Sequence, residues 1–410
     1  MTTSPHSPSP ATSTVAVRPS LLLALIGAVA LPPLAIDMYL PSLPEISTSL
    51  AAPVGIAQLT LTLFLLMLGV GQLVGGPVTD AVGRRRPLLL GLALFALGSV
   101  IAALAPSIEV LLAARIAQGA GGALAVVVAN SSVRDLASGD GATKLYALMM
   151  GAVGVAPVIA PTIGGFVDAA WGWRAVFWVL SGAGLVLMGL ALFVLPETLS
   201  PQRRAPLRLG AAFTVYRSLL RTPRFTVPSL ALIMLLALLF AYIGGASYVY
   251  QQDFGLSARS FGLAFGATGV AMMLANLAVN RLSARVSTRA LALTGAVFAT
   301  AGGIAAVALA LTDVPFPVFL SAIIVMAIGL GLAEPALMGQ AMSAVESGAG
   351  QAAALLGAAQ FLLGAVSTVV AGILAAQGPL PWALLLTVLA AAALALTLVP
   401  VRSRTMSVAA

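Results

Sequence analysis

The chain has 410 residues, 60% of them hydrophobic and only 8% charged, with a formal charge of +8 and a mean hydropathy of +1.08. A soluble protein carries about a quarter charged residues, so the polar groups here cannot cover a globular surface and lipid must be the solvent. The positive charge does not mark a nucleic-acid binder, because the basic residues fall in short clusters between apolar runs. Cysteine is absent, and the single histidine, His6, lies in a Ser/Thr/Pro-rich tail that reads as disordered. Thiol chemistry is excluded, and imidazole catalysis and multi-histidine metal sites are not expected. There is no GxxxxGK[ST] phosphate loop, and the single lysine, Lys144, lies outside any Gly-rich loop. The composition therefore predicts no enzyme, no cofactor, no metal and no ATP drive.

A helix needs roughly 20 apolar residues to cross a bilayer. Twelve runs meet this, at about 21–40, 54–78, 87–105, 108–133, 144–168, 173–195, 225–250, 259–283, 288–311, 316–341, 350–376 and 381–400. The runs are continuous rather than alternating, which excludes a β-barrel. A long polar tail precedes the first run, and no A-x-A-like site ends it, so it reads as a retained span rather than a cleaved signal. With the N-terminus inside, 17 of the 20 Lys and Arg residues fall on the inner side, the asymmetry that insertion machinery reads. Arg174 and Arg259 fall outside, and Arg115 lies within a span.

The longest loop holds six arginines and several prolines and divides the spans six and six. The expected organisation is a disordered cytoplasmic tail at 1–19, a six-helix bundle at 20–195, a cytoplasmic linker at 196–224, a second bundle at 225–400 and a cytoplasmic tail at 401–410. The halves echo each other at an offset of 200 residues: Gly269 matches Gly69, Asn280 matches Asp80 and Arg285 matches Arg85. Such an echo supports a duplicated architecture around a central cavity.

Three ionisable residues sit well inside spans: Asp37, Arg115 and Glu334. A charge there is costly unless it is paired or faces water, so each is a functional candidate. Asp37 reads as lying about four residues, ~6 Å, before the outer end of its span, and Arg115 about seven residues, ~10 Å, after the outer start of its own. The pair either couples a titrating carboxyl to a permanent cation or forms a structural ion pair near the rim, or Asp37 merely faces interfacial water. Glu334, directly before Pro335, is either a second proton or cation site or the cap of a helix broken at the proline. Tyr39, Gln58, Gln118, Asn130, Tyr242, Tyr248, Asn276, Gln340 and Gln360 are polar or aromatic span residues that line a cavity or pack between helices.

The stretch from Gly75 to Pro87 sets one acid and three arginines between two apolar runs. Its spacing, Gly76-x-x-x-Asp80-x-x-Gly83-Arg84-Arg85, resembles the loop 2–3 signature of the major facilitator superfamily. Leu111-x-x-x-Arg115-x-x-Gln118-Gly119-x-Gly121-Gly122 resembles that superfamily's second motif. The fifth span, from Gly151 through Pro157 and Ala160-Pro161-Thr162-Ile163-Gly164-Gly165, resembles the antiporter motif of drug exporters. Asp37-Met38-Tyr39-Leu40-Pro41-Ser42-Leu43-Pro44 resembles the Bcr/CflA drug-resistance subfamily, which includes chloramphenicol and bicyclomycin exporters. Trp173-Arg174 with Phe177-Trp178, and Leu195-Pro196-Glu197-Thr198, agree. Ala81 replaces a usual basic residue and Ala160 a usual glycine.

The resemblance implies an all-α membrane protein of twelve transmembrane helices in two six-helix bundles. It implies proton-coupled efflux of small hydrophobic or amphiphilic antibiotics such as phenicols, with the proton gradient as driving force. The implied setting is the bacterial cytoplasmic membrane, with both termini in the cytoplasm, lipid, drug and protons as partners, no nucleic acid, and a monomer. Asp37, Arg115 and Glu334 would couple protons to substrate. Asp80, Arg84 and Arg85, with Gly76 and Gly83, would form a gate across the bundle interface. Gly151, Pro157, Pro161, Gly164 and Gly165 would shape the antiporter helix. The same scaffold also serves transport of a sugar, siderophore or endogenous metabolite.

Overall fold

The computed structural model describes residues 18–137, 139–204, 216–345 and 349–400. Residues 1–17 of the first tail with His6, the whole of the second tail, and the loop arginine Arg208 lie outside them, while Pro19, placed in the first tail by the sequence, begins the first helix. Twelve long apolar helices fill the described chain: α1 Pro19–Asp37, α2 Val54–Val82, α3 Arg85–Ala103, α4 Ile108–Leu136, α5 Gly139–Trp171, α6 Trp173–Val194, α7 Pro223–Tyr248, α8 Ala258–Leu282, α9 Thr288–Ala310, α10 Phe316–Ser343, α11 Ala349–Ala375 and α12 Pro379–Leu398. No strand occurs among the described residues. The result is a multi-pass membrane protein.

Two bundles of six repeat one packing scheme. In the first, α1 packs on α4, α5 and α6, α2 on α4, and α3 on α4 and α6. In the second, α7 packs on α10, α11 and α12, α8 on α10, and α9 on α10 and α12. The bundles meet along two seams, α2 on α11 and α5 on α8.

Small residues set the closeness of these seams. On α8, Gly262, Gly266 and Gly269 face the α5 backbone; a Cβ at Gly262 would sit 2.4 Å from the Pro161 carbonyl oxygen, and one at Gly269 would sit 2.9 Å from that of Pro157. The Pro157 carbonyl receives no helical bond, because Pro161 has no N–H to donate, yet α5 runs through both prolines unbroken. Across the other seam, a Cβ at Gly69 would meet Leu362 at 3.0 Å. Gly69 and Gly269, the echoing pair of the sequence, thus hold corresponding places, one in each seam. The rest of the echo differs: Asn280 and Arg285 are exposed and form no ion pair among the described residues.

The first span departs from expectation. It does not end near residue 40: after Asp37 the chain makes a tight turn at Leu40–Ser42 and a short helix at Leu43–Ser49, so the apolar path covers 31 residues, Pro19–Ser49. Pro41 and Pro44 each sit in the first turn of the next helical piece, where proline is tolerated. Asp37 is therefore mid-span, twelve residues short of Ser49, and not near the rim. The matching first helix of the second bundle, α7, also loosens at this end, into a wide turn at Val249–Asp253. The two loosened ends dock on each other. Ser247 Oγ donates to the Leu40 carbonyl at 2.6 Å and Gln251 Nε2 to that of Pro41 at 2.9 Å.

Other hydrogen bonds that join the bundles, Thr162 Oγ1 to the Gly262 carbonyl at 3.1 Å and Thr62 to Thr368 at 3.0 Å, also lie in the half of the molecule away from the α2–α3 arginines. The molecule is closed at the end opposite its arginine-rich loop.

Candidate functional site

Between the bundles, at mid-span, lies a cavity of about 200 Å³. Its walls come from α1, α5, α7, α8, α10 and α11, so both bundles build it. Most of the lining is apolar: Pro32, Pro33 and Ile36 from α1, Val153 and Pro157 from α5, and Leu236, Phe240, Phe265, Met272, Met326 and Phe361 from the rest. Against this background stand Asp37, Glu334, Tyr242, Thr268 and Gln360. Among the described residues, no arginine, lysine or histidine lines it. Asp37 is 3% exposed, and neither its carboxylate nor that of Glu334 has an ion-pair partner among the described residues. Glu334 does not cap a broken helix, since α10 continues through Pro335 to Ser343.

Arg115 is elsewhere. It lies inside the first bundle, fully buried, and does not face Asp37 across the cavity. Its Nε donates to the Thr60 carbonyl at 3.1 Å and its Nη1 to the Ala35 carbonyl at 3.3 Å and to Gln118 Oε1. The guanidinium carbon lies 4.3 Å from the Phe64 ring centre and 4.7 Å from that of Tyr39, with Phe177 at 5.9 Å. The i, i+3 spacing puts Gln118 on the same helix face as Arg115, and Gln118 Nε2 passes the chain on to Ser99 Oγ at 2.7 Å. Tyr39 is engaged with the Thr60 hydroxyl. These groups grip α1 from within the bundle, two residues before Asp37, while Asp37 turns to the cavity. Cation–π contacts and carbonyls stand in for the missing counter-ion.

The loop cluster forms a network within the first bundle. Arg84 pairs with Asp80 at 2.7 Å and with Asp135 of α4 at 3.0 Å, and its Nη1 donates to Thr79 Oγ1 at 2.9 Å. Its backbone N–H donates to Glu197 Oε1 at 2.7 Å, and Thr198 Oγ1 bonds Asp135 at 3.2 Å. Arg85 donates to the Leu192 carbonyl at 2.7 Å. In this conformation the contacts do not cross to the second bundle; they tie the α2–α3 loop to α4 and to the start of the linker. Gly83 makes this possible with φ +105°, and a Cβ there would lie 2.5 Å from Glu197 Oε2. Gly83→Ala is expected to cost about 1–3 kcal/mol, seen as a lower melting temperature of the detergent-solubilised protein; an unchanged melt would mean the network does not bear on stability.

A model of the family described as Major Facilitator Superfamily matches residues 25–368 and again 246–409. The chain belongs to the major facilitator superfamily. Among relatives, the uncharacterized MFS-type transporter YdgK of Bacillus subtilis is 34% identical over 86% of this chain and 87% of its own. The bicyclomycin resistance protein homolog of Haemophilus influenzae is 32% identical over 82% and 84%. In fold, this facilitator superposes on a D-xylose–proton symporter with a TM-score of 0.74 at 19% identity, covering 91% of this chain and 96% of that one. The facilitator architecture and the kinship with Bcr/CflA-type drug-resistance transporters are as the motifs implied.

The cavity gathers Asp37, Glu334, Tyr242, Gln360 and Pro157 from the sequence candidates. Tyr39, Gln118, Asn130 and Asn276 do not line it: Tyr39 and Gln118 serve Arg115, and the Asn130 carbonyl accepts from Tyr146 at 2.9 Å. Gln58 is buried at the α2–α11 seam, where a Cβ at Gly372 would lie 2.8 Å from its side chain. Gln340 donates to the Thr288 carbonyl at 3.1 Å. A Cβ at Gly164 would lie 2.1 Å from the Met38 carbonyl oxygen and one at Gly165 2.4 Å from that of Ala258, whereas a Cβ at Gly151 or Gly76 would meet nothing within 4 Å. Sequence reasoning missed Asp135 as a partner of Arg84, Glu197 as the anchor of the linker, and Asp168, which accepts from Ser42 Oγ at 2.6 Å. Glu197 carried a signal, as the acid in a Leu-Pro-Glu-Thr stretch beside a basic loop. Asp168 carried none.

Proposed function

We propose that this facilitator exports small hydrophobic or amphiphilic drugs, phenicols among them, across the bacterial cytoplasmic membrane in exchange for protons. The observation that carries the reading is Asp37, a buried carboxyl without a cationic partner, facing an apolar cavity that both bundles build. A carboxylate in such a place is neutralised by a proton or by something it binds, and that alternative is the basis of exchange.

The basic end faces the cytoplasm by the positive-inside rule, with both termini on that side, and the closed end then faces outward. Drug enters from the cytoplasm as Asp37 gives up its proton inward. Rocking of the bundles along the α2–α11 and α5–α8 seams parts the contacts of Leu40 and Pro41 with α7 and opens the cavity outward. A proton from outside returns to Asp37, the drug leaves, and the seams close again. The Arg84 network keeps the loop, α4 and the linker start together as one rigid piece during that motion.

Growth-inhibition curves over a drug panel in an efflux-deficient host test the substrate class. Expression is expected to raise tolerance to phenicols and other small amphiphiles; unchanged curves across the panel would contradict drug export.

A further inference from the structure

We infer that the arginine-rich end of the second bundle is a binding surface for anionic phospholipid headgroups, with Arg217 and Arg221 of the linker end and Arg281 and Arg285 of the α8–α9 connection as its cations. The inference is independent of what the cavity carries. It starts from a difference between the halves. The acids at this end whose side chains are described, Asp80, Asp135 and Glu197, all belong to the first bundle and the linker start. They are engaged there: Asp80 and Asp135 pair with Arg84 at 2.7 and 3.0 Å, and Glu197 with Arg204 at 4.0 Å. In the second bundle, Asn280 stands where the first has Asp80. Arg217, Arg221, Arg281 and Arg285 are exposed and form no ion pair among the described residues. Arg289 reaches a neutral acceptor, the Leu398 carbonyl, at 3.4 Å.

The two arginine pairs are parts of one surface. Gln340, near the inner end of α10, donates to the Thr288 carbonyl at the start of α9 at 3.1 Å. The next residue, Ala341, shares an apolar cluster with Leu219 and Phe225. The α8–α9 connection and the linker end thus meet the same turn of α10. Each also sets an exposed leucine between its arginines: Leu220, 55% exposed, between Arg217 and Arg221, and Leu282, 40% exposed, between Arg281 and Arg285. Residues 216–220 are helical, so Leu219 turns into the bundle while Leu220 is left outside beside two cations. A guanidinium fork binds phosphate through paired N–H groups, and an apolar side chain beside it reaches into acyl chains. That combination fits a lipid at the membrane surface; a free phosphate would leave both leucines in water. By the positive-inside rule this end faces the cytoplasmic leaflet, whose anionic lipids attract such clusters. The first bundle neutralises its Arg84 from within, and the second takes its anions from the membrane.

Displacement of a tail-labelled fluorescent phosphatidylglycerol from the full-length protein in detergent, by unlabelled phosphatidylglycerol or phosphatidylcholine, tests this. Phosphatidylglycerol is expected to displace the label at much lower concentration, and that preference should shrink as salt is raised. Removing a pair of these arginines, as Arg281→Gln with Arg285→Gln or Arg217→Gln with Arg221→Gln, should cut the preference roughly tenfold or more, at about fivefold for each arginine. Arg281→Lys with Arg285→Lys keeps the charge and should keep most of the preference. Arg18→Gln with Arg86→Gln removes the same charge from exposed positions at the same end of the first bundle, and should leave the preference unchanged. Every one of these exchanges is at an exposed side chain without an ion pair among the described residues, so melting temperatures in lipid-free detergent should match that of the unaltered protein. Equal affinity of the unaltered protein for the two lipids overturns the inference, and that outcome needs no variant to fold. So does a loss in Arg18→Gln with Arg86→Gln as large as in the second-bundle pairs. Displacement of the label by inorganic phosphate at the same concentration as phosphatidylglycerol would overturn the membrane as the source of the anion.

Discussion

Replacing Asp37 with Asn is expected to reduce gradient-driven drug flux in proteoliposomes to the level of empty vesicles, with the protein still folded. The amide keeps the shape of the carboxyl but neither releases a proton nor carries charge. The severity follows from position: Asp37 is mid-span in the cavity that both bundles share, and among the described residues no arginine, lysine or histidine lines that cavity. Because Asn removes no ion pair, stability should not fall, and exchanging a costly buried acid for an amide can raise it. The expected signature is lost coupling with an undiminished melting temperature. A variant that retains full gradient-driven flux would remove Asp37 from the mechanism.

Arg115→Ala is expected to act in the opposite way, on stability first. It would orphan the acceptors on Thr60, Ala35 and Gln118 and leave a void bounded by three aromatic rings. Loss of a partner from a buried charged network together with a cavity is worth roughly 3–5 kcal/mol, enough to consume much of the stability of a marginal protein. Arg115→Lys should fall between, since one ammonium cannot reproduce the planar fork that reaches three acceptors. Thermal unfolding in detergent, followed by intrinsic fluorescence, reads the order. If Arg115→Ala melts like the unaltered protein, the grip on α1 is not what holds that helix.

The twelve spans were legible because crossing a bilayer demands a length of apolar chain that little else imitates. The depth of Asp37 was not, because Pro41 and Pro44 look like the end of a helix. In the structure they begin new turns, and the first span continues to Ser49. The pairing expected of Asp37 and Arg115 fails for a related reason. Helical spacing gives the face of Arg115 relative to Gln118, but not which bundle interior that face enters. The cavity wall was opaque for a different cause: Phe240, Phe265 and Phe361 read like any lipid-facing residue, and only the fold brings them together. Glycines were half legible. The echo of Gly69 and Gly269 signalled duplication, while their place in the two seams depended on knowing which helices cross.

Coupling of drug to protons can be read from dye-loaded liposomes. The protein is reconstituted in liposomes with a pH-sensitive dye inside, and a transported drug is added from the side that bears the arginine-rich loop. Drug addition should evoke a proton flux opposite to that of the drug, present in the unaltered protein and absent in Asp37→Asn. Drug movement that continues unchanged when the proton gradient is collapsed, with no drug-evoked proton flux, would contradict it.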